Sequence, residues 1–179
     1  VELVTDEIVK VDKEKQQVIS ERTSYDYDYL VLGVGSEPAF FGVPGVKEHG
    51  FTIWSLKDAL KIRHHIEEVF RRAREEKDPA KRKKLLTIIV AGSGFTGVEV
   101  VGELMEWKKL LCAQHDIPES EVSLYNIEAM PNILPILKPN LQEKAKRFME
   151  KNGVKVLTGS AIVKATEDGI ELKDGTKID

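Results

Sequence analysis

Six residues, Gly92-Ser93-Gly94-Phe95-Thr96-Gly97, constrain this chain more than any other part of it. An apolar run, Leu86–Ala91, enters them, and a helical stretch from about Gly97 to Ala113 leaves them. Glycines at that spacing, between a strand and a helix, permit a tight turn, a close backbone approach to a pyrophosphate, and close contact of helix with strand. The helix start then offers unpaired N–H groups and the positive end of its dipole to an anion. A G-x-G-x-x-G string alone is a weak signal, and a turn that binds nothing is the alternative; the strand–turn–helix setting is what strengthens it.

The same fingerprint asks for a carboxylate at the end of the second strand, to accept hydrogen bonds from the adenosine ribose hydroxyls and repel a 2′-phosphate. Glu128 stands there, after the strand Val122–Ile127. It lies 36 residues beyond Gly92, more than the usual interval of ~20, and the helix plus the Cys112–Glu121 loop account for the excess. Glu128-Ala129-Met130-Pro131 holds no Arg or Lys, so NADH is favoured over NADPH; a merely solvated carboxylate is the competing reading. Glu99 falls in the expected first helical turn. There it either stabilises the helix start through the dipole, or positions the nicotinamide end of the cofactor and relays a proton.

The remaining elements follow from pattern. Ile8–Val11, Val18–Ile19 and Tyr29–Leu32 read as strands, and Gly33, Gly35, Pro38, Gly42, Pro44 and Gly45 crowd a loop or domain crossing. Ser55 with Asp58 makes a capping box for a helix ending near Asp78-Pro79. Asn140–Lys151 reads as a helix, Val154–Leu157 as a strand, and Ala161–Thr166 with Ile170–Leu172 as a hairpin turning at Asp168-Gly169. The expected fold is α/β. It has a Rossmann-like domain with a parallel sheet, helices on both faces and an antiparallel β-hairpin, preceded by a β-rich segment.

Composition excludes other classes. With 41% hydrophobic and 32% charged residues in 179, the chain is an ordinary globular one rather than disordered or disulfide-stapled. A net charge of −3 argues against nucleic-acid binding, which calls for a concentrated basic excess. No apolar run approaches the ~20 residues of a spanning helix, so the chain is expected to be soluble. The lone Cys112 cannot form a dithiol centre. His64 and His65 are neighbours on a helix and point ~100° apart, so no metal site is expected. The basic residues between Arg71 and Lys84 read as a solvated helix end, with anionic lipid headgroups as the alternative partner. Trp54 and Trp107 read as packing residues. The start at Val1 without Met, and the end just after the Asp174-Gly175 turn signal, suggest a piece of a longer protein.

Gly92-Ser93-Gly94-Phe95-Thr96-Gly97-Val98-Glu99-Val100-Val101-Gly102-Glu103-Leu104, with Ile127-Glu128-Ala129 and Asn132-Ile133-Leu134-Pro135, resembles the pyridine nucleotide-disulfide oxidoreductase family of flavoproteins, most of all its type II NADH dehydrogenases. Tyr27–Pro38 resembles the FAD-domain strand and loop that precede the inserted NAD domain, with Gly33-Val34-Gly35 in place of the usual Ala-Thr-Gly. Residues 1–45 are then implied to be the end of the first half of an FAD domain, and 46–179 an NAD(H)-binding domain truncated at its C-terminus. The resemblance implies NADH on this piece, bound by Gly92, Ser93, Gly94, Phe95, Thr96, Gly97 and Glu128. It implies FAD on the neighbouring domain of the parent chain, and a quinone as acceptor. The piece alone would hold no FAD and be inactive. A parent on the cytoplasmic side, with peripheral membrane attachment and homodimerisation open to it, goes with that reading. A related flavoprotein reductase with another acceptor, and a non-catalytic nucleotide-binding module, are the alternatives.

Overall fold

The polar turn at Asp12–Gln16 folds the first two apolar runs back on each other. In the computed structural model, which describes residues 1–179, β1 (Ile8–Asp12) and β2 (Gln17–Ser20) pair antiparallel with Val11 opposite Val18, and β3 (Ser24–Asp26) pairs with the other edge of β2. The Asp12 carboxylate accepts the N–H of Lys15 at 3.0 Å, which holds its carboxyl below the usual range. Tyr29–Leu32, expected as the third strand, is not one. Tyr29, Val31, Leu32 and Val34 lie exposed. A run apolar on both faces needs neighbours on two sides, which this meander does not provide, whereas half-polar Ser24–Asp26 suits an edge. Val1–Glu37 is a compact unit, and Pro38–Asp179 is a second.

The second unit begins with a single helical turn, α1 (Val46–His49), concealed in the sequence by the surrounding glycines and prolines. α2 (Leu56–Glu75) starts where expected. The Ser55 hydroxyl accepts the Asp58 N–H and the Asp58 carboxylate accepts the Ser55 N–H, both at 3.2 Å. Asp78-Pro79, expected only to terminate a helix, also starts one, α3 (Pro79–Leu85). The Asp78 carboxylate accepts the N–H groups of Ala80 and Lys81, and Pro79 occupies a first-turn position where its missing N–H costs nothing.

Then come β4 (Thr87–Ala91), α4 (Phe95–His115), β5 (Ser123–Ile127), α5 (Pro139–Lys151) and β6 (Val154–Leu157). The three strands form a parallel sheet in the order β4-β5-β6, with Ile88 opposite Leu124 and Leu124 opposite Val154. β7 (Ile162–Thr166), β8 (Gly169–Leu172) and β9 (Lys177–Ile178) make an antiparallel meander that contains the expected hairpin.

Alternation along the strands sorts two cores. Ile88, Val90, Leu124, Val154 and Val156 join residues of α2, α4 and α5, including Phe70, Val101, Leu104 and Met149. Ile89, Tyr125, Ile127 and Leu157 meet Ile162, Ile170, Leu172 and Ile178 of the meander. Helices α2, α4 and α5 thus cover one face of the parallel sheet. The other face, for which helices were also expected, carries the meander, because β7–β9 supply an apolar stripe of their own. Cys112 lies in the larger core, where burial pushes its thiol up. Trp107 packs against that core, but Trp54 is exposed, so its expected packing role does not hold within this unit.

Phe70 is fully buried within the larger core. Phe70→Ala is expected to lower unfolding stability by about 3–5 kcal/mol, measured by urea denaturation.

Candidate nucleotide-binding site

The site is built where β4 ends and α4 begins. Gly92 has φ 92°, a left-handed conformation open mainly to glycine. Its N–H donates to the Ile127 carbonyl at 2.7 Å, carrying the β4–β5 pairing one residue past the strand. Gly94 caps the helix with extended backbone, and the first helical bond runs from the Val98 N–H to the Gly94 carbonyl at 3.0 Å. The N–H groups of Phe95, Thr96 and Gly97 precede that bond and have no acceptor in the chain, so they face outward with the positive end of the helix dipole.

The three glycines answer to different demands. A Cβ on Gly97 would stand 2.2 Å from the Gly92 carbonyl oxygen, so only glycine lets the first turn of α4 press against the end of β4. Gly94 has an ordinary φ of −70°, and a Cβ there would meet nothing within 4 Å. No contact in the protein calls for glycine at 94. The open space lies beside the unpaired N–H groups, where a phosphate would need the backbone to come close.

Glu128 follows β5 and is brought to the turn. Its Oε2 accepts the Ser93 N–H at 2.7 Å and its Oε1 the Met130 N–H at 2.8 Å. Each oxygen keeps a further lone pair, so the half-buried carboxylate is oriented yet able to accept from a diol. Beyond the strands, the Gly159 N–H donates to the Met130 carbonyl and the Ser160 N–H to the Glu128 carbonyl, at 2.8 and 2.9 Å. These bonds tie the loop after β5 to the loop after β6.

Ser93 is fully buried, and its hydroxyl points inward, donating to Asn126 Oδ1 at 2.7 Å. Its carbonyl accepts the Leu134 N–H at 2.8 Å. Ser93 therefore joins the turn to β5 and to the Ile133-Leu134 loop, and presents no free group outward. Phe95 and Thr96 are exposed at the helix start.

Glu99 stands outside the first helical turn in which it was expected. α4 begins at Phe95, two residues before the expected start, because Gly94 can act as the cap. Glu99 is consequently the fifth helical residue, outside the first turn, which contains no acidic side chain. It is exposed on the second turn, so the expected stabilisation of the helix start is not its role.

Asn126 is a site residue that strand patterning does not single out. It is the one amide side chain in the apolar end of Val122–Ile127, and by pattern alone such a residue counts only as an interruption. Features elsewhere do not join the site. His65 packs against Phe51 in a tilted arrangement with a centroid separation of 4.7 Å, and burial, then the Arg72 charge, holds its imidazole pKa below the ordinary value. In the basic stretch, Arg71 pairs with Glu68 and Glu75, Arg74 with Asp116, Arg82 with Glu121 and Lys84 with Asp168.

The whole chain, residues 1–179, matches the family model described as pyridine nucleotide-disulphide oxidoreductase. The chain belongs to that family. The type II NADH:quinone oxidoreductase of Staphylococcus saprophyticus is 36% identical over 173 residues, covering 97% of this chain and 42% of that protein. The protein of the same description from Staphylococcus aureus is 34% identical over 180 residues, covering 99% and 44%. This oxidoreductase-family chain therefore spans about two-fifths of the length of the curated relatives it matches. Among solved structures, NDH2 from Plasmodium falciparum in complex with NADH aligns with a TM-score of 0.76 at 24% identity, over 94% of this chain and 36% of that one. A ferredoxin reductase from Rhodopseudomonas palustris aligns at 0.60 and 19% identity, over 99% and 39%. At these identities the structural likeness establishes the shared fold.

The glycine geometry separates steric demand from ligand demand. Gly97→Ala is expected to lower the thermal midpoint by several degrees, the effect of ~1–2 kcal/mol in a domain of this size, whereas Gly94→Ala leaves it within about a degree. Differential scanning calorimetry of both variants checks this.

Proposed function

We propose that this chain is the NADH-binding part of an FAD-dependent NADH:quinone oxidoreductase. The observation that carries the reading is the pairing of an open, glycine-lined helix start with a carboxylate held beside it by two backbone N–H groups. The family membership and the similarity to type II NADH:quinone oxidoreductases support the same choice. Residues 1–45 are assigned to the end of the first half of an FAD domain, and 46–179 to the NAD(H)-binding domain. No helix is long and apolar enough to cross a membrane, and a quinone acceptor goes with peripheral attachment of the whole protein on the cytoplasmic side.

The residues present fit a dinucleotide. The N–H groups of Phe95, Thr96 and Gly97 would hold the pyrophosphate, and Gly94 leaves it room. Glu128 would accept from the ribose diol through its free lone pairs and repel a 2′-phosphate by charge. Ser93 acts through its backbone, which links the turn to Glu128. Glu99, exposed on the second turn of the same helix, is assigned to position the nicotinamide end of the nucleotide or to hold a proton there. The chemistry supplied by bound NADH is a hydride for the flavin of the neighbouring domain. The chain's own part is to bind, orient and discriminate.

Two outcomes are expected in the full-length protein. Glu128→Arg should raise KM for NADH at least tenfold, equivalent to about 1.4 kcal/mol, and improve the relative use of NADPH; unchanged selectivity in steady-state assays contradicts the assignment. Gly94→Ala should keep the native thermal midpoint and lose NADH affinity. Quinone reduction compared with reduction of ferredoxin or oxygen decides the acceptor.

A further inference from the structure

We infer that Ser93 and Asn126 form a positioning pair that sets the pitch of the phosphate-binding turn, an inference that rests on the dinucleotide-binding reading above. Asn126 is fully buried on β5, the central strand of the parallel sheet, on the face that carries the helices. Its Nδ2 donates to the carbonyls of Gly92 at 3.0 Å and Val90 at 3.3 Å, and its Oδ1 accepts the Ser93 hydroxyl at 2.7 Å. The two carbonyls require the amide's NH₂ side, which leaves the oxygen for the hydroxyl, so the network admits one orientation.

The atom this network holds is the significant one. The Gly92 carbonyl oxygen bounds the approach of Gly97, so its position fixes how the first turn of α4 sits and where its free N–H groups point. The next residue, Ser93, is held through its hydroxyl by the same amide, and its N–H is aimed at Glu128. One buried amide thus coordinates the phosphate side of the site with the ribose side.

Strand pairing does not need this residue. The ladder between β4 and β5 is made by backbone groups, and the neighbouring inward position, Leu124, shows that the same face takes an apolar side chain. Burying an amide where a hydrocarbon packs carries a desolvation cost, offset by the bonds it makes to Gly92 and Ser93 of the turn and to Val90 at the end of β4.

The test uses the full-length protein with Asn126→Leu, Ser93→Ala and the double variant, measuring the thermal midpoint, the calorimetric Kd for NADH, and kcat and KM separately. Asn126→Leu alone leaves the Ser93 hydroxyl without its acceptor and should lower the midpoint. The double variant, in which the orphaned hydroxyl is gone but the Gly92 carbonyl still lacks the donor that Asn126 supplied, should regain part of that stability. It should still bind NADH about tenfold more weakly, with KM raised in proportion and kcat within twofold. A double variant that binds NADH as tightly as the unaltered protein overturns the inference and leaves the pair a packing device. If the Asn126 variants do not fold, Ser93→Ala alone decides: a loss of affinity of threefold or more is expected, and an unchanged Kd overturns the inference. Failure of the unaltered protein to bind NADH overturns the dinucleotide reading itself, and this inference with it.

Discussion

The contact between the first turn of α4 and the Gly92 carbonyl is the constraint on which the second unit depends. A side chain at residue 97 would collide with that oxygen, so the helix can enter the sheet at this depth only with glycine there. Gly92 meets the complementary requirement by taking a left-handed φ. Once the helix is seated, Val98, Val101, Leu104 and Met105 reach the core shared with β4, β5 and α2. The same seating leaves the N–H groups of the first turn facing outward, so the packing of the fold and the exposure of its anion-binding end have one cause.

The electrostatic arrangement grows from that seat. Glu128 comes within hydrogen-bond reach of the turn because β5 pairs in parallel with β4 and ends level with it, Ala91 opposite Ile127. Two backbone N–H groups orient the carboxylate, and no buried side-chain nitrogen or oxygen in the chain is left without a partner. A polar network satisfied in this way is rigid. Rigidity matters for recognition because groups that are already placed do not have to be ordered when a ligand arrives.

Local chemistry makes much of this legible in the sequence. The Ser55–Asp58 capping box, the strand–turn–helix around Gly92, the Asp168-Gly169 hairpin and the placement of Glu128 after a strand all rest on interactions between residues close in sequence. The missed features depend on tertiary context. α3 has no apolar periodicity, since Lys81–Lys84 is wholly basic, and it exists through the Asp78 cap and Pro79. Tyr29–Leu32 has strand-like composition but no pairing partner in the meander. The displacement of Glu99 from the first turn follows from Gly94 serving as the cap, whereas the glycine spacing alone favours a helix start at Gly97. Asn126 could be judged only once the Gly92 and Val90 carbonyls were seen beside it.

The central claim is that the start of α4 and the Glu128 carboxylate form one nucleotide-binding surface. The most direct measurement is a ¹⁵N-resolved NMR titration of the protein with NADH. The account predicts that the amide signals of Phe95, Thr96 and Gly97 move most, together with those of Ser93 and Met130, whose N–H groups are bonded to Glu128. Perturbation centred elsewhere, with these five amides unmoved at saturating NADH, would contradict it.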